Sequence, residues 1–297
     1  MVVIIDGNQL ACRCYFSIDE LSNKRGERTE TVYGFLVSFK KLIIDYCKNA
    51  TVLIAWDGGN AKRKTIYPDY KAGRKKFENA FYSQLDRLRE ILNLLSVKQF
   101  HYADVEADDI IGTLTYNYRK SGNKVLIVSS DHDFEQLITK HVEILHPMNN
   151  NIIKDINFVL DKYKIMPNRL PEVMAITGDP TDNIPGVDGV GDKTAAKLIL
   201  ANNSLEEMLE NVDYLKILNN KGDKVDAKEK LKQKIKSNID NIKISYKLVK
   251  ICTDINIKNE LEKVIKPDFE RVLNIFETLE FERLIDDFDF WKKTFKC

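Results

Sequence analysis

The chain has 297 residues, 43% hydrophobic and 31% charged, with 46 Lys+Arg against 45 Asp+Glu for a net charge of +1. This length supports one large or two ordinary domains, each able to bury a core, and the composition is that of a soluble globular protein. No apolar run approaches the roughly 18 residues of a membrane helix, so no membrane partner is expected.

The opening run Val2-Val3-Ile4-Ile5 is too short for a signal peptide and is cut by Asp6. Cys12, Cys14, Cys47, Cys252 and Cys297 show no disulfide spacing, which points to a reduced, cytoplasmic protein. The near-zero charge hides segregation. Residues 57–76 carry Lys62, Arg63, Lys64, Lys71, Arg74, Lys75 and Lys76 against Asp57 and Asp69. Residues 221–250 hold ten lysines against four acids, and 268–290 is acidic. Basic segments of this kind suit a phosphate backbone, although Lys-rich solvated surface has the same composition.

Taken in order, Val2–Ile5 reads as a strand and is followed by a helical pattern around Val32–Lys48. Thr51–Trp56 is a second strand, and an amphipathic stretch runs from Phe81 to Leu95. Lys98–Tyr102 reads as a third strand, Ala107–Lys120 as a helix stopped by Ser121-Gly122, and Val125–Val128 and Val142–Leu145 as two more strands. Strands alternating with helices predict an α/β domain with a mainly parallel sheet. After Met166-Pro167 the strand patterns give way to helices punctuated by Gly, Pro and Asn, which predicts domains at 1–166 and 167–297.

The acids fall where such a sheet presents ligands. Asp6 follows the first strand, Asp57 the second, and Asp131 and Asp133 the fourth. Glu106, Asp108 and Asp109 open a helix. Each one singly is an ordinary turn or capping residue. Together they repel one another unless cations neutralise them. Oxygen donors favour Mg²⁺ or Mn²⁺ over zinc, and Cys12-x-Cys14 lacks the second pair a zinc site needs. His132 is read as a bystander. Two carboxylate-clamped metals hydrolyse phosphodiesters, and Lys71 and Arg74 of Tyr70-Lys71-Ala72-Gly73-Arg74 are positioned to meet the scissile phosphate.

The stretch from Gly178 to Thr194 fails as a P-loop, because Asp192 stands where lysine is required before Lys193-Thr194. Gly189-Val190-Gly191 remains a tight turn opening a helix at about Lys193–Leu200. Spacing leaves open whether that turn binds phosphate or merely joins two helices.

Taken together these motifs resemble the 5′ nuclease domain of bacterial DNA polymerase I and the free-standing flap endonuclease and 5′–3′ exonuclease family. The likeness runs from Ile5-Asp6-Gly7-Asn8 through Val32-Tyr33-Gly34-Phe35, Glu106-Ala107-Asp108-Asp109, Asp131-x-Asp133 and Gly178-Asp179-x-x-Asp182-Asn183 to Leu279-Glu280-Phe281. The resemblance implies a PIN-like three-layer nuclease domain and a helical domain with a helix–three-turn–helix motif at about Pro171–Leu200. It implies Mg²⁺ ligands at Asp6, Asp57, Glu106, Asp108, Asp109, Asp131, Asp133, Asp179 and Asp182, the firmest being Glu106, Asp108, Asp131 and Asp133. Lys71 and Arg74 match the gateway pair, with Tyr70 stacking on a base and Lys75 and Lys76 beside it. The duplex grip falls on Gly186, Gly189, Gly191, Lys193, Thr194 and Lys197, with K⁺ on carbonyls near Val187 and Val190.

The implied substrate is DNA with a 5′ flap, nick or free end, or RNA–DNA, met by a monomer that works with a polymerase or ligase in a bacterial or phage-infected cytosol. The segment between Arg74 and Val105 corresponds to the arch over the 5′ strand. Lys75-Lys76-Phe77 there replaces a proline-containing stretch, which leaves the exonuclease–endonuclease balance open. The end at Cys297 is expected for a stand-alone enzyme or an excised domain. Competing readings are a non-catalytic DNA-binding module, an aspartyl phosphotransferase using Asp131-x-Asp133, and a PIN-type ribonuclease.

Overall fold

A computed structural model describes residues 1–147, 152–257 and 266–296. Cys297 lies outside the described residues. The first half runs β1 (Val2–Asp6), α1 (Gly7–Ser17), α2 (Glu30–Tyr46), β2 (Thr51–Ala55), α3 (Ala61–Ile66), α4 (Asn79–Leu94), β3 (Lys98–Phe100), α5 (Ala107–Lys120), β4 (Val125–Val128), β5 (Val142–His146), β6 (Ile152–Lys154) and α6 (Ile156–Tyr163). The second runs α7 (Leu170–Thr177), α8 (Asp192–Ala201), α9 (Leu205–Glu210), β7 (Lys216–Leu218), β8 (Lys224–Asp226), α10 (Glu229–Lys236), α11 (Ile239–Val249), α12 (Phe269–Thr278), α13 (Glu282–Asp286) and α14 (Phe288–Thr294).

Six strands form one sheet in the order β3-β2-β1-β4-β5-β6, parallel except for β6, which is antiparallel to β5. Central β1 is buried along its whole length, as expected of a parallel strand covered on both faces. Its side chains alternate. Val3 and Ile5 join Ile54, Leu126 and Val128 under α1, α2 and α4, while Val2 and Ile4 join Leu53, Val125 and Ile127 against α5 and the second half. The expected α/β three-layer architecture, followed by a largely helical region, is what the chain adopts.

Several local expectations need correction. A helix, α1, follows β1 directly although Gly7, Asn8, Cys12 and Tyr15 are weak helix formers. The side chain of Asp6 caps it by accepting from the Gln9 N–H at 3.0 Å. Strands do not vanish after residue 167, because β7 and β8 pair antiparallel around Asn219–Gly222. Three residues each is too short for alternation to show in sequence. The chain from Asp268 on does not stay with the helical half expected at 167–297. Val272, Phe276, Leu279, Phe281, Leu284, Phe288 and Trp291 enter the core of α2 and α4. The Asp268 N–H donates to Leu94 O at 2.8 Å, and Lys40 pairs with Asp287.

The expected arch segment is packed down. Only a short coil precedes α4, whose Phe81, Leu85, Leu88, Ile91 and Leu92 are buried. Phe77 stacks on Phe81 at 4.3 Å between centroids.

Candidate active site

Parallel strands deliver their carboxyl ends to one edge, and the acids gather there. Asp6 ends β1 and is buried. Its Oδ1 caps α1, and its Oδ2 accepts from Ser129 Oγ at 3.1 Å. The same Ser129 oxygen accepts from the Asp131 N–H at 3.1 Å, so one buried serine just past β4 holds both acids. Asp131 Oδ1 in turn accepts from the Asp133 N–H at 2.8 Å.

Exposed Asp57 follows β2. Its N–H donates to Asn8 Oδ1, and its Oδ1 accepts from the Gly59 N–H, both at 2.8 Å. The turn depends on Gly58, where a Cβ would stand 1.8 Å from Tyr102 O. That contact presses the loop after β2 onto the loop leading to Glu106.

The nine acids divide by electrostatics. Burial, and then the neighbouring carboxylates Asp131 and Asp57, push Asp6 up to about 7. Burial and then Asp131 push Asp133 up to about 7, with Asp179 and Asp182 adding to the rise. Asp108 is raised well above the carboxylate range by burial, Asp131, Asp6 and Glu106. These groups feel one another and lack enough cations. The buried Asp133 Oδ1 has no hydrogen-bond partner.

Glu106, Asp109 and Asp182 already have cations from the protein. Glu106 is 2% exposed, with Oε2 paired to Arg63 and Oε1 to Lys71 and to the Tyr70 hydroxyl at 3.1 Å. Asp182 is paired to Arg74 and lies 3.6 Å from Lys71 Nζ. Asp179, half-buried, accepts from the Thr181 N–H at 2.8 Å.

Four expectations meet a different geometry. Asp109 faces away from the cluster: Arg63 holds it at 2.7 and 2.8 Å, and it accepts from the Cys252 N–H at 2.9 Å. Both of its oxygens are thus engaged by the protein. Tyr70 is only 3% exposed, its ring among Ile184, Leu248 and Val249 and its hydroxyl on Glu106, so no base can stack on it. Arg63 does not follow a phosphate backbone. It is buried, and besides both acids it donates to Leu248 O at 2.9 Å and Lys250 O at 3.5 Å. Its neighbours in the basic segment gave no sign that it differs from them, because burial is decided by α3 docking beside α5 and α11. His132 is not remote: one nitrogen lies 3.4 Å from Asp133 Oδ1 and the other 3.9 Å from Asp131 Oδ1. Donor atoms of Asp131, His132 and Asp133 all lie within 4.8 Å of one another.

The hairpin between α7 and α8 is stitched to the gateway turn. The Lys71 N–H donates to Asp182 O at 2.8 Å and Asn183 Nδ2 to Asp69 O at 2.9 Å. Lys71 sits at φ 56°, and Gly178 at φ 67°. A Cβ on Gly186 would stand 2.1 Å from Thr177 O, so the hairpin closes only with glycine there. Gly189, Gly191 and Lys193 are exposed at the start of α8, and Thr194 is half-buried. Lys197 donates to Asn220 Oδ1 at 2.8 Å. Lys75 and Lys76 are exposed beyond Arg74.

Two family models match in sequence: the 5′-3′ exonuclease N-terminal resolvase-like domain over residues 1–164, and the 5′-3′ exonuclease C-terminal SAM fold over 165–271. The 5′-3′ exonuclease of Aquifex aeolicus is 31% identical over 289 residues, covering 96% of this chain and 94% of that one. DNA polymerase I of Bacillus subtilis is 34% identical over 293 residues, and the thermostable DNA polymerase I of Thermus caldophilus 33% over 287. The chain spans about a third of the length of these polymerases, 32% and 33% respectively.

The fold is that of bacteriophage T5 5′-exonuclease with bound zinc, TM-score 0.67 at 18% identity over 99% of this chain and 97% of that one. It is also that of the T5 flap endonuclease in complex with DNA and metal ions, TM-score 0.68 at 17% identity with the same coverage of 99% and 97%. With both halves of the family matched in order and the acid cluster assembled at the sheet edge, the chain belongs to the 5′-3′ exonuclease family.

Proposed function

We propose that the protein hydrolyses phosphodiester bonds near the 5′ ends of nicked, flapped or otherwise branched DNA, using divalent cations held by the carboxylate cluster. The observation that carries this reading is the set of acids left without protein cations beside a Lys71–Arg74 gateway. Asp6, Asp108, Asp131 and Asp133 would hold one ion, with the imidazole of His132 at its edge. Asp57, Asp179 and Asp182 would reach a second directly or through water. The donor set is mostly carboxylate oxygen, which suits Mg²⁺ with Mn²⁺ as a substitute. When bound, the two ions supply an acidified attacking water and charge neutralisation at the leaving 3′ oxygen.

The chain's own residues do the rest. Lys71 is held in its left-handed conformation by Glu106 and the Asp182 carbonyl, with its ammonium directed at the acids. A phosphate entering there exchanges a carboxylate partner for its own oxygen, so Lys71 and Arg74 serve as substrate clamps. Glu106 acts chiefly by fixing Lys71 and Arg63, and contributes to the metal site from behind. The exposed start of α8, with Gly189, Gly191, Lys193 and Thr194, grips duplex phosphate, and Gly186 keeps the hairpin closed. A K⁺ would sit on hairpin carbonyls beside Pro185 O, which accepts from the buried Ser245 Oγ at 2.6 Å. RNA-primed strands fit the same clamp, since it addresses phosphate.

Cleavage of a 5′-labelled flap duplex in Mg²⁺, leaving a 5′-phosphate and a 3′-hydroxyl, is the expected result. Asp131→Asn with Asp133→Asn should abolish it while the fold, read by circular dichroism, persists. Retained cleavage by that double variant would remove the site assignment.

A further inference from the structure

The 3-10 turn Asp133–Leu137 presents Asp133 to the cluster, yet five residues of this geometry have little stability of their own. Two side chains pin it. Gln136 Nε2 donates to Val249 O and its Oε1 accepts from the Ile251 N–H, both at 3.0 Å. Glu135 goes the other way and is wholly buried. Its Oε1 accepts from Lys154 Nζ at 2.6 Å and its Oε2 from Lys162 Nζ at 3.3 Å, with Tyr163 beside them.

Lys154 belongs to edge strand β6, and Lys162 and Tyr163 to α6. Both ammonium groups also lie over the Phe158 ring, at 5.3 and 5.8 Å. One buried carboxylate thus draws two cations onto the turn that aims Asp133. Tyr163 lines the same cavity as His132, Asp133 and Asp179.

A buried ion pair adds little net stability over a hydrophobic replacement, but removing one partner alone is costly, so the two charges stay together. We propose that Glu135 is a positioning residue, its pairing with Lys154 and Lys162 setting where Asp133 stands and hence how tightly the cluster takes a divalent cation. This rests on the cation-binding part of the proposed function and not on the nature of the substrate.

Mn²⁺ titrated into the full chain without DNA, with free ion read by electron paramagnetic resonance, tests it alongside thermal unfolding and duplex binding in EDTA. Glu135→Gln and Lys154→Met should each weaken Mn²⁺ binding about tenfold or more, the loss expected of a partner behind a metal ligand, at unchanged duplex affinity. The double variant should unfold at a higher temperature than either single one, since no unpaired buried charge remains, yet stay weak for Mn²⁺. Parent-like Mn²⁺ affinity in either folded single variant overturns the proposal. If both single variants fail to fold, Lys162→Ala decides, since that lysine is 43% exposed: weaker Mn²⁺ binding supports the strut and parent-like binding overturns it. Mn²⁺ binding that responds as expected in a chain that never cuts DNA would sink the nuclease reading and leave this one standing.

Discussion

Lys71, the proposed substrate clamp, is at the residue scale a member of an ion pair in the structure. Its ammonium pairs with Glu106 and lies 3.6 Å from Asp182 and 4.9 Å from the centre of the Tyr70 ring. Lys71→Ala should therefore lower the single-turnover cleavage rate by more than about tenfold while duplex affinity stays within about twofold, as for loss of a contact made mainly in the transition state. A proportional loss of affinity would count against the clamp.

Asp6 gives the pH dependence. Its folded value of about 7 lies above the ordinary 3.8, so between these limits the folded chain without metal holds a proton that the unfolded chain has lost. Folding stability in EDTA accordingly falls as pH rises through that window, and the penalty is complete above 7. Asp6→Asn, which keeps the helix cap, should unfold at a higher temperature than the parent at pH 8 in EDTA and show no such gain at pH 4. Metal binding must displace the same proton, so Mg²⁺ affinity should rise from pH 5.5 to 7.5. The acids themselves were legible in the sequence because strand ends announce where they go. Which of them the protein neutralises was not, because Arg63 and Lys71 reach Glu106 across 43 and 35 residues of chain.

At the scale of elements, the proposed duplex grip rests on the hairpin between α7 and α8. Its sequence left two readings open, and the structure supplies two facts that bear on them. The hairpin is bonded to the gateway turn through Lys71 and Asn183, and the start of α8 is exposed with Lys193. Lys193→Ala should weaken duplex binding for every sequence alike and lower the slope of log affinity against log salt by about 1, the signature of one phosphate contact. An unchanged slope would remove Lys193 from the interface. α5 was legible end to end, Ala107–Lys120, because its apolar period is strong and Ser121-Gly122 stops it. α1 was missed because it depends on a side-chain cap and on packing against α2 rather than on propensity.

For the molecule as a whole, the return of α12–α14 to the α2 and α4 face is the least expected feature. Val272, Phe276 and Trp291 are fully buried there although the chain has meanwhile built the entire helical half. Truncation before Asp268 should therefore lower the melting temperature of the nuclease half and expose α4 to proteolysis, while α7 and α8 keep their protection from hydrogen exchange. Equal loss across both halves would show that the chain unfolds as one unit.

The sequence by itself determined the alternating β/α order, the parallel sheet, the strand-end acids and the glycine hairpin, because periodicity and turn chemistry are local properties. Tertiary structure alone decided which charges meet. Asp109 and Tyr70 turned inward, burial and neighbouring carboxylates pushed Asp6 and Asp133 up to about 7, and Glu135 acquired two lysines, because the energy of an ion pair depends on burial and on distance through space, which spacing along the chain does not encode.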